Sequence, residues 1–375
     1  MSLQENIGVL TSLVRQDFEK FRAFVSASTF DFPSFERFIV QNQLSGYLYA
    51  LLASSPARDL FPDHTLGRFK ALYLKQQANN RRLLAELKQL LTRFSAAGQE
   101  FILLKGLYLA QRFYGDIDRR SLWDIDILVR KETLQDVQKL LADCGYARKS
   151  HIFLHESLSC YFTHAFDFAK KGASLDLHWA LSSHPSYRLD YAKIWVRQQP
   201  FYIEDSCFFV LPDEYEIVFN LLATLRDLER GALRVRSLVD LYMILKAAGG
   251  TLDWNQFFVN RKRENVSKIC VTILSLFLGA FHCQAEFLDL ARAVEHERKT
   301  LGLEDRQTLA KLLEPSRLGI RNKLWASRLY ETTRLSFLLW WMISLPFRLC
   351  VYRPGRFSRL KNTMAGYFSR NAGSG

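Results

Sequence analysis

Leu122-Trp123-Asp124-Ile125-Asp126-Ile127-Leu128-Val129 places two carboxylates at alternate positions of an apolar run. With a period of two, Asp124 and Asp126 point to one side of a strand and Ile125, Ile127 and Val129 to the other. An unpaired charge is too costly to bury in oil, so the acidic side must meet solvent or a cation. Two such side chains on a rigid element suit a hard divalent cation, Mg²⁺ above all where phosphate is also bound. A solvent-facing edge strand with two acids is the plainer reading of the same pattern.

A second Asp-x-Asp string, Asp116-Ile117-Asp118, lies just upstream, after Tyr114-Gly115 and before Arg119-Arg120. That setting is turn-like, so the string is expected in a loop or at a helix end, outside any metal cluster. A third acid comes from an expected hairpin in which residues 162–168 and 173–179 flank Lys170-Lys171-Gly172. Ser174, Asp176 and His178 share one face of its second strand, and Leu175, Leu177 and Trp179 share the other. Three strand-borne acids are what two-metal phosphoryl chemistry requires. The metals clamp the attacking and leaving oxygens, and an acid near the acceptor takes its proton. His178 either touches substrate or bonds a neighbour.

These acids must be held against a phosphate site. Residues 101–104 read as a short apolar strand and 107–114 as a helix, with Gly106 permitting a tight turn between them. Backbone N–H groups at such a junction favour an anion, and Lys105 adds a point charge for phosphate. Residues 133–144 read as a second helix, with Thr133 and Asp136 as a capping box and Gly145 just past its end.

Leu103-Leu104-Lys105-Gly106, Leu109-Ala110, Tyr114, Arg120, Asp124 through Val129 and Gly145-Tyr146, taken in order, resemble the uncharacterised bacterial nucleotidyltransferase family of the polymerase-beta-like superfamily. Asp176-Leu177-His178-Trp179 is similar to its next motif. Leu211-Pro212-Asp213-Glu214 and the run from Arg234 through Ser237 to Leu241 are similar to its helical part. The likeness spans roughly residues 65–260. It implies that Asp124, Asp126 and Asp176 hold Mg²⁺, two ions in all, and a nucleoside triphosphate. Lys105-Gly106 stands where better-known members carry Gly-Ser at the triphosphate, with Arg120 as a further phosphate contact. Trp123 replaces a small residue and would crowd the metal site, and Ser237 replaces a tryptophan. Arg236 and Asp240, four apart on one helix face, read as an ordinary salt bridge. On the family likeness, Arg236 reaches the nucleotide and Asp240 orients it.

The resulting expectation is an α+β fold: a small mixed sheet over 99–211, with helical regions over 1–98 and 212–375. Within the first region, residues 18–25, 35–52 and 66–94 have helical spacing; in the last, 233–245 does. A hydrophobic content of 49% excludes a disordered chain, and six cysteines without CxxC spacing point to reduced thiols in the cytoplasm. The expected function is Mg²⁺-dependent transfer of a nucleoside monophosphate to an acceptor, releasing pyrophosphate. The acceptor is a small molecule, a protein or RNA. The alternative is a nucleotide- or RNA-binding module that has lost turnover, which crowding by Trp123 would permit.

The formal charge of +13 gives a basic surface. Positive residues gather at Arg261-Lys262-Arg263 and from Arg348 to Lys361, where they face RNA phosphates, anionic lipid or only solvent. Residues 336–347 form the most apolar stretch, too short for a span that needs about twenty residues. It reads first as a helix buried against those that follow the core, with Trp340 and Trp341 at least partly covered. Peripheral membrane contact is the less favoured reading.

Overall fold

In the computed structural model, the residues described are 1–27, 30–149, 151–152, 160, 162–229, 231, 233–303, 325–331, 339–340, 342–343 and 351–352. The strands are β1 Ile102–Leu104, β2 Ile125–Leu128, β3 Ala147–Arg148, β4 His151–Ile152, β5 Ala165–Lys170, β6 Ala173–His178, β7 Gln199–Ile203, β8 Ser206–Val210 and β9 Val351–Tyr352. Seven of them form a sheet in the order β3-β5-β6-β2-β1-β8-β7, and β4 pairs with β9 apart from it. The sheet is mixed: β1 runs parallel to β8 and β2 parallel to β6, while the other pairs are antiparallel. The chain is α+β, as its sequence predicts.

β2 is an interior strand, which explains Ile125, Ile127 and Leu128 at 2% exposure or less. The β5–β6 hairpin closes through Lys171-Gly172, with Lys170 paired to Ala173 and Gly172 at φ +90°, where glycine carries no steric cost. Its first strand starts at Ala165, later than the expected 162.

Helices precede the sheet: α1 Leu3–Val14, α2 Phe18–Val25, α3 Phe32–Gln41, α4 Ser45–Leu52 and α5 Asp63–Ala96. Asp17 and Asp31 cap α2 and α3 by accepting from Lys20 and Ser34 backbone N–H groups. The single helix expected over 35–52 is two, broken where Gln43 takes φ +60°. The 34-residue α5 is the brace of the site. Its Asn79 and Asn80 side-chain amides donate to the carbonyls of Leu122, Ile117 and Arg120, fixing the segment that leads into β2.

Between strands lie α6 Gly106–Phe113, α7 Leu134–Asp143 and α8 Tyr191–Val196. The capping box expected at Thr133 is not formed: its hydroxyl donates back to the Arg130 carbonyl at 3.1 Å, and α7 follows a 3-10 turn, Lys131–Thr133. After the sheet come α9 Asp213–Glu229, α10 Arg236–Ala248, α11 Trp254–Arg263, α12 Ser267–Phe281 and α13 Leu288–Thr300. α10 therefore begins three residues later than its apolar spacing predicts. The basic run Arg261-Lys262-Arg263 is not a surface patch. Arg261 is fully buried over the Tyr215 and Phe257 rings and pairs with Glu264 at 2.9 Å, while Lys262 pairs with Glu297.

Among the described residues no helix is long and apolar enough to cross a membrane. Of the apolar stretch 336–347, only 339–340 and 342–343 are described; Trp341 lies outside, as do residues 348–350 and 353–361 of the basic segment. Burial of that stretch is not what these residues do: Leu339, Met342 and Ile343 are 43%, 53% and 55% exposed. Trp340 is partly covered, with its ring 4.5 Å from that of His184.

Candidate active site

At the junction of β1 and α6 two consecutive residues take positive φ, Lys105 at +44° and Gly106 at +51°. Glycine is at ease there; a lysine is not, and non-glycine residues in such regions concentrate at functional sites. The turn carries the Lys105 ammonium to 4.2 Å from the centre of the Phe219 ring on α9.

Across the sheet, the β2–β6 register sets Asp126 directly beside Asp176, and the β5–β6 register sets Asp167 beside Asp176 on its other side. His178 Nε2 lies 3.0 Å from Asp126 Oδ1. One ligand atom each from Asp126, Asp176 and His178 fall within 4.8 Å of one another, a spacing that can hold a metal ion. Asp124 stands at the head of β2, outside that trio but close enough to act on the charge of Asp126 and Asp176. Asp167 is a fourth carboxylate that the sequence reading missed. It lies in Phe166-Asp167-Phe168, where the alternation that exposed Asp176 would have found it.

Crowding sets the charges of these groups. Burial, then the neighbouring Asp126, pushes Asp124 up to about 6. Burial, then Asp126, Asp167 and Asp124, pushes Asp176 up to about 9. Burial would also raise Asp126, but the Lys105 ammonium and the His178 hydrogen bond outweigh it and hold Asp126 below the usual carboxylate range. Asp124 and Asp176 are thus held toward their protonated forms beside an Asp126 held ionised.

Arg120 and Asp240 are paired with each other. Arg120 Nε and Nη2 each donate to an Asp240 oxygen at 2.8 Å, the Tyr114 hydroxyl donates to Asp240 at 2.6 Å, and both charged residues are at least 93% buried. The salt bridge expected between Arg236 and Asp240 is not made, because Arg120 occupies both carboxylate oxygens. Arg236 Nη1 instead donates to the Ser121 carbonyl at 2.9 Å and to Gln43 Oε1 at 2.6 Å. Trp123 does not crowd the acids: it is 64% exposed, and its indole N–H donates to the same Gln43 oxygen at 3.1 Å. Asp116 caps a 3-10 turn, Ile117–Arg119, that contains Asp118, and neither belongs to the trio; Asp118 is buried and accepts from Gln77 and Arg81.

A cavity of about 620 Å³ opens on these groups, lined by Lys105, Gly106, all four carboxylates and Arg236. Its wall on α9 holds Glu216 and Asn220, four apart and both missed in the sequence. Both carboxylate oxygens of Glu216 and the amide oxygen of Asn220 are buried with no hydrogen-bond partner. Burial pushes Glu216 up to about 7, against the pull of Lys105, Arg112 and Arg120. Such acceptors call for a ligand that brings donors or positive charge.

A family model described as uncharacterised nucleotidyltransferase matches residues 28–278. Comparison with curated proteins finds no match. Among solved structures the chain is similar to an antigenic nucleotidyltransferase-like protein from Paracoccidioides brasiliensis, at 14% identity and a TM-score of 0.32, covering 57% of this chain and 93% of that one.

Proposed function

Because the chain belongs to the uncharacterised nucleotidyltransferase family, we propose that it transfers a nucleoside monophosphate from a nucleoside triphosphate to an acceptor, with Mg²⁺ bound and pyrophosphate released. The observation that carries this reading is the Asp126–Asp176 pair side by side on parallel strands, with Asp124 at the strand's head and the Lys105-Gly106 turn alongside. Buried carboxylates pressed together, two of them forced toward their protonated forms, are a set that a divalent cation relieves.

The donor set fits Mg²⁺. His178 is already engaged with Asp126, which leaves carboxylate oxygens of Asp124, Asp126 and Asp176 as the ligands, and hard cations take oxygen. When bound, the cation neutralises charge on the transferring phosphoryl group and on the pyrophosphate that leaves. Lys105 Nζ, which rests 4.2 Å from the centre of the Phe219 ring, meets the β- or γ-phosphate, and the Gly106 end of α6 offers backbone N–H groups to the same anion. Asp176, its own proton displaced once a cation is bound, would accept the proton of the acceptor hydroxyl. His178 keeps Asp126 turned toward the cavity. Arg120 and Asp240 act from behind, as a buried pair that fixes the 116–122 segment, and Arg236 reaches the nucleotide from the cavity wall. Positioning and charge neutralisation are all that such transfers ask of a protein.

Incubation with each α-labelled nucleoside triphosphate, Mg²⁺ and fractionated cell extract tests the proposal. Label should enter an acceptor in a metal-dependent manner and should not do so with Asp126→Asn. Labelling that persists with Asp124→Asn and Asp126→Asn would refute it. The crowding by Trp123 that would have permitted a module that only binds is absent, since its side chain is 64% exposed and tied to Gln43.

A further inference from the structure

Of the large hydrophobic side chains exposed among the described residues, Trp123 is the one that lines the cavity. Scattered exposed apolar residues need no explanation, but this one is held in place. Its indole N–H is tied at 3.1 Å to Gln43 Oε1, which also accepts from Arg236 at 2.6 Å. Gln43 sits at the break between α3 and α4 with φ +60°, a conformation that a glutamine adopts at a cost. A strained backbone thus carries one side chain that fixes both the tryptophan at the mouth and the arginine in the wall. Among the described residues no ring contact covers the indole, and its neighbour in the chain is Asp124.

A flat, rigid, open π-face one residue from the phosphate-transfer centre matches one part of a nucleotide. We infer that Trp123 is the platform on which the nucleobase of the bound nucleoside triphosphate stacks, and that Gln43 is the residue positioning it. Every base has a π-face, and an exposed platform reads no hydrogen-bonding edge, so the site accepts all four bases. The inference rests on the proposed reading of the site as one for nucleoside triphosphates.

Calorimetric titration with Mg²⁺ and ATP, GTP, CTP or UTP, set beside Mg²⁺ and inorganic tripolyphosphate, tests it. Tripolyphosphate has the anion without the base. Trp123→Ala should weaken binding of all four nucleotides on the order of 10-fold and leave tripolyphosphate binding unchanged; Trp123→Phe should keep most of the affinity. Gln43→Gly, which removes the amide and suits the positive φ, should give the same split with an unimpaired melting temperature. If wild-type protein binds nucleotides and Trp123→Ala binds them within twofold of it, the platform is refuted and the proposed function stands. If Trp123→Ala weakens tripolyphosphate as much as nucleotides, the tryptophan serves the metal site, and the inference again fails. Wild-type protein that binds neither ligand refutes the proposed function and the platform with it.

Discussion

Asp116-Ile117-Asp118 and Asp124-Ile125-Asp126 share a spacing and lie a few residues apart, yet they end in opposite environments. The first is answered by protein: Asp116 accepts from the Asp118 backbone at 2.8 Å, and Asp118 Oδ2 accepts from Gln77 and Arg81, both at 3.0 Å. Arg120 and Asp240 extend the same engaged region across the back of the site. The second string faces a cavity, where its carboxylates meet mainly each other, Asp176 and a lysine. Acids matched by donors hold a fold together; acids left to repel one another hold something that is not protein. The long helix α5 decides which is which, since its amides and Arg81 converge on 117–122 and stop short of β2.

The largest effects should come from exchanging these outcomes. Asp124→Asn or Asp126→Asn should lower turnover on the order of 10²- to 10³-fold, the scale of losing one electrostatic stabiliser of a transition state, while thermal melting shows the fold intact. Asp118→Ala should do the reverse, costing roughly 1–3 kcal/mol of stability through the donors it strands, with per-molecule activity nearly kept. Equal loss of activity from both strings would break the comparison.

Asp240→Ala should destabilise still more, by roughly 3–5 kcal/mol, because it leaves the Arg120 guanidinium buried and uncompensated. Chemical denaturation measures it. Arg120→Met with Asp240→Leu should recover much of that loss, since a buried pair is often replaceable by apolar groups of similar volume. If the double variant keeps stability but loses nucleotide binding, Arg120 has a phosphate role beyond holding the segment.

Much of this was legible from residue types alone, and the gaps have physical causes. Alternation exposed Asp126 and Asp176 because a strand buried on its other face forces a period of two; the seven-stranded mixed sheet bears these two acids, and Asp124 stands just ahead of β2. Alternation stops where the strand stops. Trp123 precedes β2, so its outward direction is set by Gln43, which is 80 residues away in sequence and lies at a break that helical spacing did not predict. The partner of Asp240 was misread for a similar reason. The local four-residue rule pointed to Arg236, but the pair that forms spans 120 residues. Asp167 obeys the same alternation, but on the hairpin's first strand, whose two faces the sequence analysis does not assign. Glu216 and Asn220 resemble any polar positions on an amphipathic helix until the cavity beside them is known.

A subtler effect separates the two regions by pH. In metal-free protein the folded state holds Asp176 protonated up to about 9, whereas an unfolded aspartate releases its proton near 3.8. The folded state therefore binds the extra proton between these values, and stability falls as pH rises through them. Asp124, pushed up to about 6, acts in the same direction. Asp176→Asn removes the larger contribution. Its melting temperature should match wild type near pH 4 and exceed it by a few degrees at pH 8. Adding Mg²⁺ should raise wild type and close the gap, because the cation replaces the proton. A wild-type melting temperature that rises from pH 5 to 8 more steeply than the variant's would contradict this account of the acids.

Lys105 belongs to both regions, and separating its roles gives the smallest expected effect. Its backbone, at φ +44°, serves the turn, and its ammonium serves the cavity. Lys105→Ala keeps the strain and removes the charge; Lys105→Gly removes both. Glycine should therefore be the more stable variant by about 1 kcal/mol, a difference of a few degrees in melting temperature. Against wild type the glycine variant should gain nothing, since it loses both the contact with Phe219, worth roughly 0.5–1 kcal/mol, and the ammonium that offsets the buried charge of Asp126. Both variants should weaken nucleoside triphosphate and tripolyphosphate alike, because the ammonium meets phosphate and not base. That pattern is the opposite of the one expected at Trp123. Unchanged phosphate affinity in Lys105→Gly would make the lysine a structural residue that happens to face the cavity.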